Sequence, residues 1–118
     1  NTPMQYAYAD YLRTHPGHCE ELPDFYQAKR DLFCSLLAES RFKFKPSAGT
    51  YFQLVDYGAI AQSDDETFAH WLTTEIGVAA IPVSVFCEAP SKDERVVRFC
   101  FAKNGATLRA AAEKLCQI

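Results

Sequence analysis

One basic residue lies inside the most strand-like run of the chain. Residues 96–101 read Val-Val-Arg-Phe-Cys-Phe, and Arg98 is the only charged residue among them. Because side chains alternate faces along a strand, residues 97, 99 and 101 predict one apolar face, whereas Arg98 shares the other face with Val96 and Cys100. A guanidinium stays charged in proteins, and leaving it unpaired among apolar groups costs several kcal/mol. We therefore expect an anionic group to meet Arg98.

The source of that anion stays open from the pattern alone. A carboxylate of the protein itself and a carboxylate of a bound ligand would both satisfy the guanidinium. Structural ion pairs and ligand sites both place arginine in such surroundings, so the strand pattern does not choose between them.

The length and charge of the chain restrict its class. Its 118 residues are enough for one domain with its own core. Twelve Lys and Arg against fifteen Asp and Glu give a net charge of −3, and the basic residues form no patch, which argues against nucleic acid and anionic membranes as partners. We expect neither a signal peptide nor a membrane span, and hence a cytoplasmic protein that binds small molecules or other proteins.

Cysteine and histidine show no pattern of a disulfide framework or a metal site. The five cysteines are odd in number and none belongs to a C-x-x-C pair, which favours free thiols in a reducing cytosol. The three histidines lack the spacing of metal ligands. An S-x-x-K spacing over residues 40–43 has no companion motif, so we interpret it as a solvated helix end. We assign no metal site and no catalytic residue to the chain.

Hydrophobic periodicity predicts four helices and three extended segments. A first helix begins near Pro3 and ends before residues 15–18, and the longest helix runs from Pro23 to about residue 40. A strand covers residues 49–57. The next helix begins at a capping box over residues 63–66 and ends at Gly77.

The C-terminal third is mainly extended. Residues 78–86 predict an irregular or edge segment, because Pro82 removes a donor from the sheet. A polar loop over 88–94, the Arg98 strand over 96–102 and a closing helix with Leu108 and Leu115 follow. This order predicts one α+β domain over residues 1–118, in which helices cover a short mixed or antiparallel sheet. Because the chain starts at Asn1 inside a helix start, we expect it to be part of a longer protein.

Five blocks of the sequence together resemble a known family. They are Asn-Thr-Pro-Met-Gln at 1–5, Pro-Asp-Phe-Tyr with Lys-Arg-Asp over 23–31, Gly-Thr-Tyr-Phe at 49–52, the apolar run at 77–86, and Val-Arg-Phe-Cys-Phe-Ala-Lys with Thr-Leu over 97–108. In this order they resemble the C-terminal part of class I/II (fold-type I) pyridoxal-phosphate-dependent aminotransferases, with most similarity to the methionine and kynurenine aminotransferase branch. The resemblance covers essentially the whole chain.

The resemblance implies a domain role and an activity. Residues 1–118 would form the C-terminal small domain of a longer, homodimeric enzyme, with a helix over 1–20 leading in from the large domain. The enzyme would use pyridoxal 5'-phosphate to transfer an amino group between an amino acid, methionine or an aromatic one, and a 2-oxo acid. The Schiff-base lysine of the family would lie upstream of this chain, so the chain alone would be inactive.

The resemblance also implies roles for individual residues. Arg98 matches the arginine that binds the α-carboxylate of the substrate. Tyr51, Phe52 and Phe86 would line the substrate pocket, although core packing also accounts for such aromatic residues. Asn1 and Thr2 would lie near the dimer interface and the active site of the neighbouring subunit, or would simply cap a helix.

Two other functions stay open. Related fold-type I enzymes cleave carbon–sulfur bonds or close rings with the same small domain. The chain would otherwise be a non-catalytic, stand-alone interaction module.

Overall fold

A computed structural model describes residues 1–89, 91 and 93–118. Pro90 and Lys92, which belong to the polar loop predicted over 88–94, lie outside the described residues. A π-helical turn, Leu72–Ile76, extends the third helix, and a 3₁₀ turn, Ser84–Phe86, follows the second strand. The helices and strands are α1 (Thr2–Thr14), α2 (His18–Leu37), β1 (Phe52–Asp56), α3 (Asp65–Trp71), β2 (Ile81–Pro82), β3 (Val96–Cys100) and α4 (Gly105–Leu115).

The three strands form one antiparallel sheet with β3 in the middle. β1 and β2 lie on either side of β3 and both run antiparallel to it. This confirms the α+β class and decides between the two predicted sheets, since no described strand pair is parallel. β2 has only two residues, because Pro82 cannot donate to a ladder and an edge strand tolerates that loss.

Strand β3 separates a buried face from a half-buried face. Val97 and Phe99 are buried, whereas Val96, Arg98 and Cys100 are half-buried. The predicted alternation is therefore confirmed. Helices pack on the face that carries Val97 and Phe99.

Aromatic side chains join the helices to the covered face of the sheet. Phe33 of α2 packs edge-on against Phe99, with ring centroids 6.0 Å apart, and Phe42 packs edge-on against the same ring at 5.8 Å. Phe68 of α3 stacks on Tyr57 at 3.9 Å. These contacts form the centre of the core and hold β3 against the helices.

The predicted starts of α2 and β1 were wrong for local reasons. α2 begins at His18, five residues before the predicted Pro23, and ends at Leu37. Glu20 and Glu21 lie in its first turn, where negative charge is favourable, so the helix starts earlier although Pro23 removes one backbone donor. β1 begins at Phe52 rather than at residue 49, because Thr50 has a left-handed backbone with φ 62° and interrupts the extended chain.

Two adjacent aspartates at the start of α3 have separate tasks. Asp64 accepts a hydrogen bond from the Thr67 amide at 2.8 Å and is the N-cap, one residue later than the predicted Ser63. The shift leaves the Asp65 carboxylate free for a distant partner. It is buried and accepts hydrogen bonds from the amides of Val83 and Ser84 and from the Ser84 hydroxyl, each at 2.7 Å. α3 thereby holds the turn that follows β2.

Helix α1 stands apart from this core. None of its residues is buried, and Tyr6 and Tyr8 are 76% and 59% exposed.

The described helices include none with the length and apolar character that a membrane span needs. All five cysteines are free thiols.

Replacing Gly77 with alanine should destabilise the chain by about 1 kcal/mol, because a residue with a Cβ resists left-handed backbone. Gly77 has φ +73° and ends the π-helical turn. Gly49→Ala is the matched control, since a Cβ there meets nothing within 4 Å and Gly49 lacks positive φ. Urea unfolding followed by circular dichroism would measure both. Equal stability of the two variants would contradict this explanation.

The contribution of Asp65 to stability should disappear in acid. Burial alone would raise its pKa, but the hydrogen bonds from Ser84 and Val83 outweigh burial and hold the pKa below its ordinary value. A depressed native pKa stabilises the fold above the unfolded value of about 3.9, and this stabilisation is lost as the pH falls through the native pKa.

Asp65→Asn should therefore lower the free energy of unfolding by about 1 kcal/mol at neutral pH, since charge-assisted hydrogen bonds become neutral ones. The difference from the unmodified chain should shrink as the pH falls below about 4. Urea unfolding at several pH values would show it. A difference that stays constant with pH would refute the role given to the carboxylate charge.

Candidate functional site

Arg98 lies at the centre of the sheet face that no described helix covers. Its register partners are Leu54 on β1 and Ile81 on β2, so an apolar residue flanks it on each side. Leu54 is 51% exposed, and Arg98 itself is half-buried. Because β3 is paired on both sides, the backbone at Arg98 is held firmly while its side chain projects from an open face.

Two phenylalanine rings contact the guanidinium. The Cζ atom of Arg98 lies 4.0 Å from the ring centroid of Phe52 and 5.0 Å from that of Phe86. Phe52 stands diagonally across from Arg98 on β1, and Phe86 belongs to the 3₁₀ turn after β2. Such cation–π contacts stabilise the charge by about 0.5–2 kcal/mol each. A ring face accepts no conventional hydrogen bond, so these contacts leave the guanidinium donors for another partner.

Within the described residues, no carboxylate neutralises Arg98. The two salt bridges there join Arg13 to Asp10 and Arg30 to Asp31. The Nε atom of Arg98 is buried and has no hydrogen-bond partner in the same part of the chain. The internal ion pair that the sequence left open is thus not formed by any described residue.

Open space adjoins this arginine. A cavity of about 470 Å³ is bordered by Arg98 together with Ile81, Val78 and Cys100, and by Leu108 on α4. Its wall is mostly apolar. A small molecule that carries both an anionic group and an apolar part matches this combination.

Tyr51 joins the site through Phe52. Its ring centroid lies 4.4 Å from that of Phe52 and 6.0 Å from that of Tyr26 on α2. The left-handed backbone of Thr50 turns the chain immediately before these two aromatic residues. Tyr51 and Phe52 therefore form one aromatic unit that ends at the Arg98 guanidinium.

A buried glutamine, which is not among the predicted site residues, fixes the loop beside Phe52. The Gln53 Nε2 atom donates to the carbonyl of Lys45 at 2.8 Å, and its Oε1 accepts from the Ser47 amide at 3.0 Å. The Ser47 hydroxyl also donates to the Phe52 carbonyl at 2.5 Å. A signal was present, because Gln53 is the polar residue at an inward position of β1 and a buried amide requires partners.

The predicted site residues divide into two groups. The structure brings Arg98, Phe52 and Phe86 into contact, and Tyr51 contacts Phe52. Asn1 and Thr2 lie outside this group, at the start of α1, where the Asn1 side chain accepts from the Met4 amide at 3.5 Å. The helix-cap reading of Asn1 therefore describes its local contact.

The chemistry of the cluster is that of a carboxylate anchor. Guanidinium offers donors in a planar fork that matches the two oxygens of a carboxylate. Apolar neighbours reduce the competition from water and strengthen such a pair. The arrangement can hold the acidic end of a small molecule in a fixed orientation on a rigid strand.

Comparison with known proteins supplies the family. The family model of aminotransferase class I and II matches residues 1–115. The methionine aminotransferase of Escherichia coli (strain K12) is 54% identical over 118 residues, which are all of this chain and 30% of that protein. Kynurenine–oxoglutarate transaminase 3 of Rattus norvegicus is 36% identical over 130 residues, covering 95% of this chain and 29% of that protein. The chain thus spans about 30% of the length of these curated relatives.

Solved structures agree in fold. A crystal structure of an Escherichia coli protein with methionine aminotransferase function has a TM-score of 0.91 and 54% identity, covering all of this chain and 31% of that one. N-succinyldiaminopimelate aminotransferase from Mycobacterium tuberculosis has a TM-score of 0.83 and 36% identity, covering 98% of this chain and 30% of that one. The family match and both likenesses extend over nearly the whole chain, which therefore belongs to the aminotransferase class I and II family.

Proposed function

We propose that residues 1–118 act as the C-terminal small domain of an aminotransferase, in which Arg98 binds the α-carboxylate of the substrate. One observation carries the proposal: a half-buried guanidinium that contacts two phenylalanine rings meets no carboxylate of the described residues. Its buried Nε atom has no partner there either. A donor group of this kind requires an acceptor, and a substrate carboxylate supplies one.

The anchor serves both halves of an amino transfer. Amino acids and 2-oxo acids all carry the carboxylate next to the reacting carbon, so Arg98 can hold the donor and then the acceptor in one place. Each charge-assisted hydrogen bond contributes about 1.5–3 kcal/mol. Fixing the carboxylate also fixes the direction in which the reacting carbon points, which lowers the entropic part of the barrier.

The cofactor of this reaction is pyridoxal 5'-phosphate, which as an electron sink stabilises negative charge at the carbon that bears the amino group. The residues of this chain fit the substrate rather than that cofactor. Lys29 Nζ donates to the carbonyl of Lys103 at 2.6 Å, and Lys114 Nζ donates to that of Ile76 at 3.0 Å. We assign no lysine of the chain to the cofactor, and we propose that the chain alone does not transaminate.

The surroundings of Arg98 favour an amino acid with an apolar side chain. Phe52, Phe86, Leu54 and Ile81, which lie next to the guanidinium, are apolar. Besides Arg98, the charged residues that border the adjoining cavity are Lys103 and Lys114, and its wall is otherwise mostly apolar. A thioether or an aromatic ring packs well against such apolar residues, since sulfur and aromatic rings attract one another. Together with the likeness to the methionine aminotransferase of Escherichia coli, this supports methionine or an aromatic amino acid as the amino donor.

The assembly and location of the enzyme are part of the same proposal. Helix α1 exposes Tyr6, Tyr8 and Met4, a surface suited to the large domain and to a second subunit of a homodimer. Asn1 and Thr2, at its start, would then border the active site of the neighbouring subunit. Five free thiols suit the reducing cytoplasm.

Arg98→Lys in the complete enzyme should raise KM for the amino acid substrate about 10- to 100-fold, because an ammonium replaces the fork and loses one charge-assisted hydrogen bond. The absorbance of the bound cofactor should not change. Steady-state kinetics and absorbance spectra would measure the two effects. Arg109→Lys, at an exposed position of α4, is the matched control and should behave as the unmodified enzyme. Unchanged kinetics of Arg98→Lys would remove the proposed role.

Amino transfer should be separable from carbon–sulfur cleavage by its products. With methionine as the donor, we expect a 2-oxo acid to form only when an acceptor 2-oxo acid is present, in equal amount to the amino acid made from that acceptor. Chromatography of both products would measure this balance. Release of ammonia or methanethiol without an acceptor would instead identify a lyase that uses the same small domain.

A further inference from the structure

The Asp65 carboxylate joins α3 to the turn that presents Phe86. It accepts three hydrogen bonds from the segment over 83–84, two from backbone amides and one from the Ser84 hydroxyl, all at 2.7 Å. Asp65 is 7% exposed, so water screens these bonds little. The turn is closed by a bond from the Phe86 amide to the Val83 carbonyl at 3.1 Å. The position of the Phe86 ring therefore depends on the hydrogen bonds between Asp65 and this turn.

Little else in the described structure restrains Phe86. Its side chain is 66% exposed, so core packing does not hold it. β2 pairs with β3 only at Ile81 and Pro82, and the sheet ends before the turn begins. The contact of the ring with Arg98, at 5.0 Å, thus depends on the three hydrogen bonds to Asp65 more than on local packing.

Asp65 also leaves the charge of Arg98 available. Its two oxygens are occupied by the three donors of the turn, and it forms no salt bridge with a described residue. An acid that approached Arg98 directly would compete with a ligand carboxylate. Asp65 acts on the neighbourhood of the guanidinium without neutralising it.

We propose that Asp65 is a positioning residue for carboxylate recognition: through Val83 and Ser84 it holds Phe86 beside Arg98, and so keeps the guanidinium oriented and shielded for the substrate. This inference rests on the proposed role of Arg98. It adds a residue that contacts neither the substrate nor the guanidinium.

The test measures binding of a carboxylate probe to the complete, cofactor-loaded enzyme. 3-Phenylpropionate carries a carboxylate and an apolar tail but no amino group, so its dissociation constant from calorimetry does not depend on turnover. Asp65→Ala should weaken its binding about tenfold, because the turn and the Phe86 ring lose their tether. Asp65→Asn should stay within about threefold, because an amide can accept from both backbone donors and donate to the Ser84 hydroxyl.

Asp64→Ala is the matched control. It removes the N-cap of the same helix, which destabilises α3, but Asp64 bonds to Thr67 and not to the turn. Its probe affinity should equal that of the unmodified enzyme. If Asp64→Ala weakened binding as much as Asp65→Ala, helix stability would explain both and the proposal would be overturned.

Phe86→Leu keeps the test decisive even where Asp65→Ala does not fold. It leaves the bonds to Asp65 in place and removes only the ring, so the probe should bind about tenfold more weakly. An unchanged dissociation constant in Phe86→Leu, or in a folded Asp65→Ala enzyme, overturns the proposal. Arg98→Lys separates failure of the Asp65 role from failure of the proposed function. If the probe binds weakly to Arg98→Lys but normally to Asp65→Ala, only the role of Asp65 is rejected. If the probe binds normally to Arg98→Lys, the proposed function itself is rejected.

Discussion

An arginine on the middle strand of a sheet, with its charge not neutralised by any described acid, is the constraint on which the rest of the structure depends. A guanidinium cannot lose its proton to avoid apolar surroundings. β3 therefore carries a face that cannot enter the core, and helices α2, α3 and α4 pack on the other face. The same strand supplies Phe99 to the core and Arg98 to the site. The core residue and the candidate site residue are thus adjacent along the chain and lie on opposite faces of the strand.

Three acidic residues of the described chain have partners other than Arg98. Asp64 caps α3, Asp65 accepts three hydrogen bonds from the turn after β2, and Asp31 pairs with Arg30. Phenylalanine rings, which attract a cation without neutralising it, take the place of an acid at Arg98. Because no described acid occupies the Arg98 guanidinium, its donors are available to an anionic ligand.

Sequence patterns predicted what depends on local spacing and missed what depends on distant contacts. The alternation around Arg98 and the order of helices and strands follow from periods of two and 3.6 residues. The start of α2 was misplaced because Pro23 looked like a first helical residue, whereas Glu20 and Glu21 favoured an earlier start. The partnership of Asp65 with Ser84 spans 19 residues, and no periodicity encodes it. The pair Asp64-Asp65 was the only local sign of this contact. One acid is enough to cap the helix, so the second is available for another partner.

Arg98 and Phe86 are held in place by different parts of the structure. Arg98 is fixed by a strand that is paired on both sides, and under the proposed function it binds the group that all amino acids share. Phe86 lies on a short turn that the sheet does not hold, and Asp65 sets its position through hydrogen bonds to backbone amides. Because these two bonds do not involve the side chains of the turn, residue 85 can change while the tether and the contact of Phe86 with Arg98 stay. Under the proposed function, a domain built this way can alter its preference among substrate side chains without moving the residue that binds the carboxylate.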